Sequence, residues 1–142
     1  MSAPPETLRD AVVRRAGHRC EYCQLSAQLQ VGGFELDHIM PRSRGGQTDM
    51  ANMALACPHC NARKWAHVDG EDPVSGQRVA LFNPRTQRWE EHFQWSVQCP
   101  FEIGGISAHG HATVARLQMN HPDLVSIRRL LAAIGISWKA EV

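Results

Sequence analysis

The sequence predicts an α+β fold, and three observations carry that reading. Two Cys-x-x-Cys pairs, Cys20/Cys23 and Cys57/Cys60, stand 33 residues apart and read as two knuckles of one staple. Residues 34–64 run as strand, loop, strand, knuckle and helix. Apolar residues at helical spacing mark both ends of the chain. At 142 residues this is one domain's length, enough to bury a modest core. We expect a single domain over 1–142, with an N-terminal helix at 5–17, a knuckle-and-hairpin core at 20–66 and an extension of strands and helices at 67–142.

Taken in order, residues 1–4 should be loose, and a helix should start at Pro5, with Glu6 in its first turn and Gly17 as its stop. Leu8, Ala11 and Val12 form its apolar face, and Arg9, Arg14 and Arg15 its basic one. The linker 24–33 leads into a strand at 34–39, where alternation puts Phe34, Leu36 and His38 on one side and Glu35 and Asp37 on the other. Pro41 and the Gly45-Gly46 pair turn the chain. Met53, Ala54, Leu55 and Ala56 then form the returning strand, and Asn61 should begin a short helix. Further on, a turn-rich stretch at 69–76 precedes a strand-like run at 78–82. Trp89, His92, Phe93 and Trp95 read as packed core rather than a base-stacking platform. Ser107 is an N-cap for a helix through Met119 with Asn120 as its stop. Pro122 and Asp123 open another, whose Leu124, Ile127, Leu131 and Ile134 pack on the domain or form a dimer seam.

The cysteine pairs favour zinc over a redox pair, because Zn²⁺ takes four tetrahedral thiolate or imidazole ligands and no βαβ pattern surrounds either motif. Cys20, Cys23, Cys57 and Cys60 are the expected structural zinc ligands, with His18 and His59 as substitutes. Cys99 reads as a buried small residue. Net charge is only +1, so no overall basic footprint is present. Locally, Arg42, Arg44, Arg63 and Lys64 face one acid, Asp49, between positions 39 and 65. The start lacks the apolar core of a signal peptide, and no run is long enough to span a membrane, so a cytoplasmic protein is expected.

Asp37-His38-Ile39-Met40-Pro41-Arg42-Ser43-Arg44-Gly45-Gly46, then Asn52, then Cys57-Pro58-His59-Cys60-Asn61-Ala62-Arg63-Lys64, resembles the HNH endonuclease family. The resemblance implies a treble-clef-like ββα-metal fold. The signature positions fall on His38, Asn52 and Asn61; the third is more commonly His, so the chain looks like the HNN subtype. The stretch after Lys64 resembles an extension carried by small bacterial HNH proteins. The resemblance implies hydrolysis of DNA with a divalent metal, and double-stranded DNA is the expected partner.

Phosphodiester hydrolysis needs an activated water, charge shielding at phosphorus and help for the departing oxygen. His38 is the candidate base, since an imidazole accepts a proton near neutral pH. By the resemblance, Asp37 and Asn61 hold the catalytic Mg²⁺ or Mn²⁺, and Asn52 ties the connecting loop to the strand. Arg42, Arg44 and Lys64 are candidate phosphate contacts, Lys64 first among them, and His67 is a candidate extra ligand. The alternative is a zinc-stapled nucleic-acid-binding module without cleavage, which would not need Asp37, His38 and Asn61 together.

Overall fold

The structure is a computed structural model that describes residues 5–28 and 33–140; the expectation for residues 1–4 and part of the 24–33 linker lie outside them. Helix α1 spans Leu8–Arg15 and starts later than Pro5. Thr7 is its N-cap: the Thr7 hydroxyl accepts from the Asp10 amide at 3.0 Å and the Asp10 carboxylate accepts back from the Thr7 amide. Glu6 thus lies outside the helix and pairs with Arg14. The basic face serves the fold, since Arg15 donates to the Met50 and Met53 carbonyls and Arg9 to that of Phe34.

Strands β1 (Glu35–His38) and β2 (Met53–Ala56) pair antiparallel with Leu36 opposite Leu55 and His38 opposite Met53. All four β2 residues are buried, which is why this strand is apolar throughout rather than alternating. Helix α2 spans Pro58–Lys64, and its N-cap is Cys57, whose sulfur accepts from the Cys60 amide. Asn61 therefore sits one turn inside the helix, not at its start. The β1–β2–α2 unit is the zinc-stapled ββα core of an α+β fold.

Beyond it, β3 (Asp69–Glu71) pairs with β4 (Arg78–Ala80), and β5 (Phe93–Trp95) with β6 (Ile103–Gly105). Helix α3 spans Ala108–Leu117 with Ser107 as its N-cap. It stops at Gln118, which takes the left-handed conformation (φ 47°), so Asn120 is free to clasp both backbone groups of Ile103. Gly110 packs α3 against the chain before β5: a Cβ there would fall 1.9 Å from the His92 carbonyl oxygen. Helix α4 spans Pro122–Ala133; Leu124 and Leu131 are buried, whereas Ile134 lies past its end and is exposed.

Trp89, Phe93, Phe82 and Trp95 form a packed aromatic cluster, with ring centroids 5.1–6.0 Å apart. Cys99 is exposed rather than buried, because it sits in a turn closed by its own amide on Ser96 Oγ and by Glu102 on its carbonyl. The extension grips the core at the first knuckle. Trp89 Nε1 donates to the Tyr22 carbonyl at 2.8 Å, and Arg85 pairs with Glu21. His59 docks α2 on the C-terminal end of α3 through the Leu117 and Gln118 carbonyls, so it is not available to the cysteine cluster.

Candidate active site and metal centres

Two knuckles converge so that Sγ atoms of Cys20, Cys23, Cys57 and Cys60 all lie within 4.8 Å of one another. Cys23 and Cys57 are 3.7 Å apart, close to the roughly 3.8 Å edge of a tetrahedron with Zn–S bonds near 2.3 Å. Backbone amides of Cys23 and Cys60 point at the first sulfur of their own knuckles, as a thiolate-loaded site requires. Four buried thiols this close cannot all ionise alone. Hydrogen bonding with Cys20 and its neighbours pushes Cys57 and Cys60 up while it lowers Cys23, and a dication relieves that conflict. The four cysteines form a zinc-binding cluster.

Next to it, β1 and α2 wall an open cleft of about 350 Å³. Asp37, His38 and Asn61 line it, together with Pro41, Arg42, Ser43 and Trp65. Adjacent residues on a regular strand face opposite ways, so Asp37 and His38 share the cleft only because β1 ends at His38. Lys64 Nζ donates to the His38 and Ile39 carbonyls at 3.3 and 3.1 Å, and gathers the chain end toward α2. Pro41 and the short 3-10 turn Arg42–Arg44 carry it away.

Asp37 is buried, and two partners hold it. Tyr22 Oη donates at 2.7 Å, and Lys64 Nζ lies 3.0 Å from Oδ2. Burial first, and then the Asp37 charge, push the Tyr22 hydroxyl well up, so it remains a donor. Lys64 was expected at the surface as the foremost phosphate contact; instead it is buried as the counter-ion of Asp37 and cannot reach a phosphate. Arg42 and Arg44 are exposed.

His38 Nε2 lies 2.8 Å from Thr48 Oγ1. Asn52 accepts from the Met40 amide at 2.8 Å and donates to the Met40 and Gln47 carbonyls, tying the loop to the end of β1. Gly46 makes that clasp fit, since a Cβ there would come within 1.8 Å of the Met40 carbonyl oxygen. Asn61 Nδ2 donates to Glu35 Oε2 at 3.0 Å. A carboxylate only accepts, so Glu35 fixes the amide with Oδ1 as its free end. Asp37 and Asn61, which both line the cleft, thus offer oxygen donors there. Asp37 Oδ1 carries only one 3.3 Å contact, with Lys64, which leaves it lone pairs to spare. These residues fit a hard divalent cation.

Sequence reasoning missed Tyr22, Glu35 and Thr48. Alternation did put Glu35 on the face of Asp37, and that was the available signal; nothing local marked Tyr22 or Thr48.

Among protein-family models, the HNH endonuclease family matches residues 20–66, which span both knuckles, both strands and α2. The match covers about a third of the chain and coincides with the zinc-stapled ββα core. HNH domains act on nucleic acid, and this core keeps its zinc staple and its cleft on opposite uses of the same helix: Cys60 faces the metal cluster and Asn61 the cleft. No curated protein and no solved structure matches the chain.

Proposed function

We propose that the protein is a metal-dependent endonuclease that hydrolyses phosphodiester bonds in DNA, double-stranded DNA foremost. The observation that carries this reading is the meeting of Asp37, His38 and Asn61, from two elements of an HNH domain, in one open cleft with Arg42 at its rim. With Nε2–H donating to Thr48 Oγ1, 2.8 Å away, His38 Nδ1 would take the proton from water as its oxygen attacks phosphorus. The P–O bond to the departing strand end breaks in the same displacement. Asp37 and Asn61, the latter braced by Glu35, would hold Mg²⁺ or Mn²⁺. A divalent cation there supplies charge neutralisation at the phosphoryl and leaving oxygens. Asn52 fixes the loop behind His38, and Arg42 and Arg44 take flanking phosphates.

Lys64 next to Asp37 offsets part of the attraction a free carboxylate would offer, so the cation should bind weakly until a DNA phosphate completes the site. The zinc is a separate ion: four thiolates leave it no open position. A supercoiled plasmid with dialysed, zinc-loaded protein tests the reading. Relaxed or linear product that needs added Mg²⁺ or Mn²⁺ supports it; a gel shift without cleavage at any metal concentration would assign the domain to binding alone.

A further inference from the structure

We propose that Trp65 is a stacking platform for a nucleobase that has left its stack beside the phosphate in the cleft, an inference that rests on the nucleic-acid reading of that cleft. Three observations single it out. Trp65 is 74% exposed, whereas Trp89, Trp95 and Trp138 all pack against the core. It also stands in a backbone conformation made for glycine. Its φ of 44° and ψ of −122° put it at the first central position of a turn, which the His67 amide closes on the Lys64 carbonyl at 2.8 Å. Glycine dominates that position because a Cβ is strained there. Here an indole takes the strain and receives little burial in return.

The third observation is location. Trp65 lines the same cleft as His38, Asn61 and Arg42, one residue past the end of α2. His67 braces the ring in a T-shaped contact at 5.9 Å. Strain and exposure that the fold does not use, at the lip of a cleft with a guanidinium beside it, are what a base-stacking residue requires: a flat apolar face next to a phosphate contact. A base inside an intact duplex has no free face. Trp65 therefore engages a single strand, or, within double-stranded DNA, a base unstacked at a nick, flap or mismatch.

The test measures stability and binding together in a His38→Ala background, where cleavage does not consume the probe, a fluorescent single-stranded oligonucleotide. Trp65→Gly should raise the urea midpoint, since strain is relieved, while weakening oligonucleotide binding by about 5- to 150-fold. Trp65→Phe should keep most of the affinity. An abasic nucleotide placed at the stacked position should cost the protein with Trp65 affinity but cost Trp65→Gly nothing further. Unchanged affinity in Trp65→Gly, with Arg42→Ala still weakening binding, would overturn the platform and leave the cleft reading standing. Stability and affinity falling together in Trp65→Gly would make Trp65 structural and equally overturn it. If the oligonucleotide does not bind when Trp65 is present, the nucleic-acid reading itself fails, and the platform with it.

Discussion

Asp37 is the residue on which the site's stability and chemistry meet. Its carboxylate is buried, and Lys64 is its only cationic neighbour among the described residues. Lys64→Met would leave that charge with one hydroxyl partner, and breaking a buried pair from one side costs about 3–5 kcal/mol. We expect a loss of that order in urea unfolding, partly recovered by millimolar Mg²⁺, since a cation that binds only the folded site stabilises it by mass action. No recovery would remove Asp37 from the proposed metal site. Sequence gave Asp37 and Asn61 a place but not their partners. Tyr22 is 15 residues from Asp37 and Lys64 27, and such contacts exist only after the chain has folded. Lysine is almost never fully buried unless paired, so the surface was the natural expectation for Lys64.

At the scale of elements, the zinc knuckles hold β1, β2 and α2 together. Structural zinc contributes on the order of 10 kcal/mol in small finger peptides, about the whole reserve of a typical domain. Cys20→Ser or Cys57→Ser should therefore unfold at least residues 20–66, read as lost helix signal and lost zinc; a folded, zinc-free variant would contradict this. In the extension, His92 Nδ1 lies 2.6 Å from Ser107, the N-cap of α3. Burial, and then the charge of His109, hold His92 below its ordinary 6.5. A depressed folded value means that its contribution is complete above 6.5 and is lost as pH falls through the lower folded value. Urea unfolding at pH 7.5 and 5.5 should show a smaller loss for His92→Gln than for wild type; equal losses would acquit His92. Local signals gave β2, α2 and the Ser107 cap, because four apolar residues, a cysteine knuckle and a cap each act within a few positions. Proline at Pro5 misled for the start of α1, where the reciprocal Thr7–Asp10 bonds decided instead.

The whole molecule is nearly neutral, and folding spends part of its positive charge internally. Arg9 and Arg15 hold backbone carbonyls, Lys64 holds Asp37 and Arg85 holds Glu21. Arg42 and Arg44 are left as exposed cations near the cleft. Each phosphate contact on duplex DNA adds about 0.9 to the slope of log affinity against log salt. A slope of about two to three is expected; one near ten would reveal a basic face that this fold does not present. The extension's role was not legible in the sequence, because its grip on the knuckle through Trp89 and Arg85 joins positions more than sixty residues apart. The proposed hydrolysis turns on His38 as the general base. The rate at which supercoiled plasmid is cut at saturating Mg²⁺ should fall by about 10²–10⁴-fold in His38→Ala, with zinc content and unfolding midpoint unchanged. Cleavage at the wild-type rate in that variant would contradict it.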